Sequence, residues 1–351
     1  MSRSRCPVIP PWLLSSVARR GGPEQRDWAL HTLAVDASLR TSRLISASQP
    51  PPAEPAPDLS QPTPRAVYDA GGTEDLPGKI ARASDGPDQP AGDVAVDEAW
   101  NGMGATDTYL RDVHRRASLD GEGTTMEAVV HFGERYANAF WDGRRIVCGD
   151  GDGELFVRFT ASLDVLAHEL GHGVVDDTTG LVYRDQPGAL SEHCADVIGT
   201  LVTQHAANQT VEKADWLIGD EVLGPTVDGV ALRSMAAPGT AYDDDVLGRD
   251  PQPAHMDDFV VTVEDNGGVH INSGIPNHAF YAVATGLGGH AWERAGAIWY
   301  GAMVDDALTP ESDFAAFAAV TAGVAGRVFG QGSVEAKAVR AGWRKVGLDP
   351  G

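Results

Sequence analysis

Apolar residues at Val165, Leu166, Leu170 and Val174 recur at three- and four-residue spacing, which predicts a helix over 164–176 with one face toward a core. A second helical pattern covers 189–204, just after Pro187-Gly188, and two more cover 310–328 and 334–346. Upstream the pattern is different. Residues 126–132 read as a strand, and 139–141, Asp142-Gly143 and 144–148 read as a hairpin closed by a two-residue turn. A helix is expected over 96–117, and Gly149-Asp150-Gly151-Asp152-Gly153 reads as a loop. There is no internal repeat. The expected fold is α+β: a β-rich domain over 65–160, then a mainly helical domain over 161–351, with the chemistry near their junction.

The 351 residues suffice for two packed cores. Pro50-Pro51-Pro52, Pro55, Pro57, Pro62 and Pro64 mark residues 48–64 as an extended linker that sets off a prefix, 1–47. Charge is uneven. Residues 1–43 carry seven Arg against Glu24, Asp27 and Asp36, a net +4 within a total of −23, so the remainder is −27. A basic prefix on an acidic body predicts docking of one on the other. Val8, Ile9, Trp12, Leu13 and Leu14 would anchor it, whereas a solvated tail needs no such residues. The acidic body disfavours nucleic acid as a partner, and no apolar run approaches the ~18 residues of a membrane span. Three cysteines, Cys6, Cys148 and Cys194, do not make a disulfide scaffold. Arg3 and Arg5 precede a short apolar stretch, but Pro7, Pro10 and Pro11 interrupt it and no small-x-small site follows, so no ordinary export signal is read.

His168-Glu169-Leu170-Gly171-His172 carries the strongest chemical signal. Residues four apart share a helix face, so two neutral imidazoles can reach one zinc ion, and Glu169 beside them can take a proton from a water that the ion polarises. A catalytic site needs a third protein ligand and one position left for water. Glu192 stands twenty residues after His172 on the next helical pattern, and Asp196 follows four later on the same face. Glu192 can be that ligand, and Asp196 can accept the second ring N–H of a ligating His. The plainer alternative makes both an acidic helix surface. Gly171 and Gly173 are costly inside a helix, about 1 kcal/mol each, which points to close packing against a neighbouring helix or the β domain.

From about Tyr68 onward these residues resemble the thermolysin family of zinc metallopeptidases, and the whole chain resembles its protealysin-like subgroup with a short prosegment. The resemblance rests on the zinc motif, on Gly188-Ala189-Leu190-Ser191-Glu192-His193-Cys194-Ala195-Asp196 at the family spacing, on Asp265-Asn266-Gly267-Gly268-Val269-His270-Ile271-Asn272-Ser273-Gly274, on Asn138-Ala139-Phe140-Trp141, and on Leu232-Arg233-Ser234-Met235. It implies a two-domain zincin fold with the cleft between the domains, and an endopeptidase cutting before bulky apolar residues. His168, His172 and Glu192 would bind the zinc, with Asp196 behind them. Glu169 would be the general base and proton shuttle. Tyr183 and His270 would stabilise the oxyanion, with Asp265 orienting His270. Asn138 and Ala139 would hold the substrate backbone, Arg233 a substrate carbonyl, and Leu232 and Val165 would line an apolar pocket. Asp164, Asp215 and Asp220 match part of the family's calcium site. Thr203 and Leu217 stand where carboxylates are expected, so one weakened calcium site or none is expected.

Ile9-Pro10-Pro11-Trp12-Leu13-Leu14 resembles the subgroup's Pro-Pro-Leu prosegment motif, with Trp12 interposed. The implication is a self-processed zymogen, cut before Leu44 or Ile45. Cys6 offers a sharper idea, a thiolate latch on the zinc, against the alternative of a free, incidental cysteine. Partners would be protein or peptide substrates, the chain's own prosegment and a proteinaceous inhibitor. The family is mostly exported, so secretion by a non-classical route is favoured over a cytoplasmic location. Other readings fare worse. A metzincin needs Gly and His where Val175 and Thr178 stand. A non-catalytic binding protein would have lost Glu169, Tyr183 or His270. A structural zinc site would need a fourth ligand such as Cys148 or Cys194, and Cys194 is only two residues from Glu192, so it points elsewhere on the helix.

Overall fold

The computed structural model describes residues 6–45, 59–86 and 89–351, except for the side chains of Cys6 and residues 40–45. In chain order the elements are β1 (Cys6–Pro7), α1 (Pro11–Arg20), α2 (Pro23–Ile45), β2 (Arg65–Asp69), β3 (Lys79–Ala83), α3 (Val94–His114), β4 (Met126–Val130), β5 (Ala139–Trp141) and β6 (Ile146–Cys148). Then follow α4 (Leu163–Asp177), α5 (Asp185–Ala206), the short strands β7 (Leu217–Ile218) and β8 (Arg233–Ser234), α6 (Asp265–Asn272), α7 (Gly274–Leu287), α8 (Ala297–Met303), α9 (Phe314–Phe329) and α10 (Val334–Lys345). The fold is α+β, with a sheet-containing first half and a helical second half, as expected.

Helix boundaries follow local chemistry. The Asp93, Asp313 and Ser333 side chains accept the third-residue N–H groups at the starts of α3, α9 and α10. α3 stops where Arg115 turns left-handed, short of the expected end at 117. α5 starts earlier than expected because Pro187 falls in its first turn, where a missing N–H costs nothing. In the prefix, Pro11 opens α1 in the same way. The sequence pattern predicts no helix there, because the Pro-interrupted start hides the periodicity of α1 and α2.

One sheet carries the order β1-β5-β6-β4-β2-β3. β4 lies parallel to β2 and β6, while β5 is antiparallel to β6. The expected hairpin forms with a longer turn. Trp141 pairs with Ile146, so 142–145 form a four-residue loop closed by the Asp142 N–H on the Arg145 carbonyl. The Asp142 carboxylate also accepts the Arg144 and Arg145 N–H groups, which is why the larger turn wins over the two-residue one. β1, from the prefix, adds to the edge at β5, with Cys6 opposite Trp141 and Pro7 opposite Phe140.

α4 and α5 form the central helix pair, and glycines set their spacing. A Cβ on Gly171 would come within 3.2 Å of Ala195 Cα on α5, and one on Gly173 within 3.0 Å of the Trp141 ring on β5. The zinc-motif helix is therefore wedged between the second helix and the sheet edge, the close approach that the two glycines predicted. The Pro-rich stretch from 48 to 58 lies outside the described residues, as do Arg3 and Arg5.

Candidate metal centre and active site

α4 places His168, Glu169 and His172 in the interior, and α5 brings Glu192 and Asp196 against them; all five are at most 2% exposed. His168 Nε2 and His172 Nε2 each lie 3.4 Å from a Glu192 carboxylate oxygen. Three donors at ~2.0–2.1 Å from a tetrahedral zinc would stand about 3.3–3.4 Å apart, so the spacing fits that ion. His168 Nε2, His172 Nε2 and Glu192 Oε2 are buried without a hydrogen-bond partner, which is costly unless a cation is bound there. Among the described residues these three form the one group of His, Cys, Asp or Glu side chains whose ligand atoms close within 4.8 Å.

Asp196 Oδ1 lies 2.8 Å from His168 Nδ1, the second ring nitrogen. Arg233, on β8, holds the same carboxylate through Nη2 and Nε at 2.8 and 3.1 Å. Burial alone would raise the Asp196 carboxyl, but Arg233 and His168 overrule it and keep it well below the usual carboxylate range. Glu169 is the opposite case. Both its oxygens are buried without a hydrogen-bond partner, and burial pushes its carboxyl well above the ordinary value against the pull of His168. A carboxyl held this way suits proton traffic.

The other expected residues converge on the same point. Tyr183 lies in the α4–α5 connection, with its hydroxyl on Glu192 Oε1 and 3.2 Å from His270 Nε2. Gly188 makes that approach possible, since a Cβ there would meet the Tyr183 backbone at 2.9 Å. Asp265 begins a run of left-handed residues through Asn266, Gly267 and Gly268 that swings it back over His270. Its carboxylate takes the His270 backbone N–H at 2.9 Å and faces ring Nδ1 at 2.7 Å. Burial would lower the His270 pKa, but Asp265 raises it on balance, favouring the imidazolium with an N–H on both nitrogens.

The prefix runs through this site. His270 Nε2 lies 2.9 Å from the Pro7 carbonyl oxygen, and Arg233 Nη1 donates to the Val8 carbonyl at 3.3 Å. Val8 N–H donates to the Ala139 carbonyl at 2.9 Å. Asn138 Oδ1 accepts the Ile9 N–H at 2.9 Å, and its Nδ2 donates to the Ile9 carbonyl at 3.0 Å. Farther along, Asp36 on α2 accepts from the same Nδ2 and from the Tyr136 hydroxyl. Val8 lines a small space together with Pro10, Trp12, Leu13, Leu232 and Tyr242 on its apolar side and Arg233, Asp250, Gln252 and His270 on its polar side. Val165, expected beside Leu232, is buried on α4 and does not line that space.

The remaining expectations concern calcium, the cysteines and the processing site. Asp164 is buried and bonded to the Gly219 N–H and the Ser162 hydroxyl, and burial pushes its carboxyl up to about 6. Asp220 is likewise raised by burial and by Asp215, but these carboxylates do not close into a ligand group. Cys148 and Cys194 are free and buried, and neither joins the metal group. The Cys6 side chain lies outside the described residues, and Leu44 and Ile45 end α2 with their side chains likewise undescribed. Sequence reasoning passed over Asn277, His193 and Trp299, which stand behind Asp196. A solitary His in the buried stretch of α5 was the one available signal.

Residues 58–176 match the model of the thermolysin metallopeptidase catalytic domain, and 179–348 that of its alpha-helical domain. An extracellular metalloprotease of Pectobacterium carotovorum subsp. carotovorum is 47% identical over 348 residues, 99% of this chain and 98% of that one. The protease PrtS of a Photorhabdus species is 43% identical over 343 residues, 97% and 91% of the two chains. The solved precursor of protealysin, a metalloproteinase from Serratia proteamaculans, superposes with a TM-score of 0.87 at 46% identity, covering 98% of this chain and 99% of that one. Family enzymes use a catalytic zinc, and the fold, the domain matches and the grouped donors agree: this chain belongs to the thermolysin family of metallopeptidases.

Proposed function

We propose that this metallopeptidase cuts internal peptide bonds before apolar residues and is made as a latent precursor whose residues 1–47 occupy its own cleft. The observation that carries the reading is the path of residues 7–9. They lie extended along β5, with one carbonyl on His270 and the next on Arg233, and Val8 is buried beside a small space that Leu232 and Tyr242 also line. A substrate held by the same main-chain groups would place its scissile carbonyl at His270 and the following side chain beside Leu232.

Zinc, when bound, would supply a Lewis acid that polarises the scissile carbonyl and acidifies water. His168, His172 and Glu192 would hold it. Glu169, buried beside the two imidazoles with both carboxylate oxygens free of hydrogen-bond partners, would take the proton of the attacking water and return it to the departing amine. Tyr183 O–H and His270 Nε2–H, 3.2 Å apart, would donate to the developing oxyanion, and Asp265 would keep the imidazole charged and aimed. Asp164, Asp215 and Asp220 would hold at most one weak calcium. Latency would end by self-cutting near the end of α2, before Leu44 or Ile45. The extracellular naming of the Pectobacterium relative favours export for this chain too.

The test compares wild type with Glu169→Ala for zinc content and for hydrolysis of casein or a dye-labelled peptide. Zinc retained with activity reduced by several orders of magnitude is expected. Comparable activity in the variant, or no bound zinc in the wild type, rejects the assignment. N-terminal sequencing of matured protein tests the processing: a chain still beginning at Ser2 rejects it.

A further inference from the structure

Behind the zinc ligand His168 and Asp196 runs a chain of three further buried polar groups, Asn277, His193 and Trp299, that the peptidase chemistry above does not use. Trp299 on α8 donates Nε1–H to His193 Nε2 at 2.7 Å. His193 Nδ1 meets Asn277 Oδ1, on α7, at 2.7 Å. Asn277 Nδ2 donates to Asp196 Oδ2 at 2.8 Å, and Asp196 Oδ1 faces His168 Nδ1 at 2.8 Å. All five side chains are at most 1% exposed.

The chain has one possible polarity. An indole nitrogen can only donate, so His193 Nε2 must accept. The neutral ring then carries its proton on Nδ1 and must donate to an oxygen, which sets the Asn277 amide with Oδ1 toward His193 and NH₂ toward Asp196. Asp196 in turn receives Asn277 on one oxygen and Arg233 on both, and its Oδ1 stands 2.8 Å from His168 Nδ1, at ion-pair distance though off the line of a ring N–H bond, where an acceptor favours the proton on Nδ1. That contact leaves Nε2 of His168 as the unprotonated nitrogen. Reversing any member would set two donors or two acceptors face to face in the interior, where neither finds water.

We propose that Asn277 and His193 are positioning residues for the zinc ligand His168. Through Asp196 they fix its tautomer and ring plane, and Trp299 sets the direction of the whole relay. The inference rests on His168 being a zinc ligand. Its occupants are drawn from α4, α5, α7 and α8, so the relay also ties the metal site to the packing of the helical domain.

The test uses the full chain carrying Glu169→Ala, so that no self-cutting intervenes, and reads zinc affinity by chelator competition together with the visible spectrum of the cobalt-substituted protein. Asn277→Leu and His193→Leu should each weaken zinc binding about tenfold or more and shift the cobalt bands, the scale seen when groups behind a metal ligand are lost. His193→Gln, whose amide can accept from Trp299 and donate to Asn277, should recover most of the affinity. Trp299→Phe, which keeps the ring and removes the donor, should weaken binding less than His193→Leu but in the same direction. If folded Asn277→Leu and Trp299→Phe both bind zinc within twofold of the parent with unchanged cobalt spectra, the relay does not position His168. Should His193→Leu not fold, those two variants decide the question. Failure of the parent itself to bind zinc would overturn the metal site rather than the relay alone.

Discussion

Trp28 is the clearest handle on whether the prefix is held by its body. It sits on α2 with 5% of its surface exposed and meets Phe156 of the body edge-on, with ring centroids 6.2 Å apart. Trp28→Ala removes the indole and leaves a cavity against Phe156. Truncations of this kind cost about 3–5 kcal/mol, of which the ring pair supplies roughly 0.5–1.5. Phe156 belongs to the body, so the loss of this contact falls on docking. At about 1.4 kcal/mol per factor of ten, docking should weaken by roughly 10²-fold to several thousandfold. The assay supplies residues 1–45 as a separate peptide to the processed enzyme and measures inhibition of dye-labelled peptide hydrolysis. The control is Leu30→Ala, on the same helix but half exposed, which should change inhibition by less than about threefold. An inhibition constant for Trp28→Ala within threefold of wild type would refute the reasoning.

Asp164, raised to about 6 by burial, binds a proton more readily folded than unfolded, so without calcium its contribution to stability falls as pH rises from about 4 to about 6, by on the order of 3 kcal/mol. Asp164→Asn should flatten that fall in urea midpoints taken across the window; an unaltered slope would exclude Asp164 as its source. Gly173→Ala should lower stability by about 1–3 kcal/mol despite the ~1 kcal/mol gain in helix propensity, because the new methyl would press on Leu119 and Trp141; a raised Tm would show that the α4–sheet contact yields. Raising salt from about 0.05 to 1 M should weaken inhibition by the prefix less than tenfold, since the ion pairs described across the junction are exposed; a hundredfold loss would show that charge holds it.

Much of the site was legible because its chemistry demands fixed spacing within single helices. Two imidazoles four apart, then a carboxylate and a second carboxylate four apart, can meet in one way when two helices pack at the distance that Gly171 allows. The loop of Asp265 was readable only through family resemblance, because no periodicity encodes a run of left-handed residues. Asn277 and Trp299 were not readable at all. They reach Asp196 across α7 and α8, and the spacing within each helix carries no trace of a partner on another. The hairpin turn erred for a local reason: Asp142 is as good an acceptor for a four-residue loop as Asp-Gly is a formula for a two-residue one.

Of the two grounds given for docking, charge and apolar anchors, the described residues display the second. Across the described junction, Glu24 of the prefix meets Arg135 of the body at 3.6 Å, the reverse of the expected polarity, and His31 meets Glu74 at 3.3 Å. Such exposed pairs contribute about 0–1 kcal/mol. Val8, Ile9, Leu13, Leu14, Val17 and Trp28 are all buried, and each large apolar side chain removed from water contributes roughly 1.5–3 kcal/mol. The hydrogen bonds that Ala139, Asn138, Arg233 and His270 make to residues 7–9 all go to main-chain atoms, so they carry no preference for this prefix over another extended chain. Selectivity for the prefix therefore resides in anchors such as Leu13, Leu14 and Trp28 and in the Asp36 carboxylate on Asn138 and Tyr136, which an arbitrary extended chain lacks. The shared main-chain bonds are what the cleft can offer to any peptide once those anchors are gone.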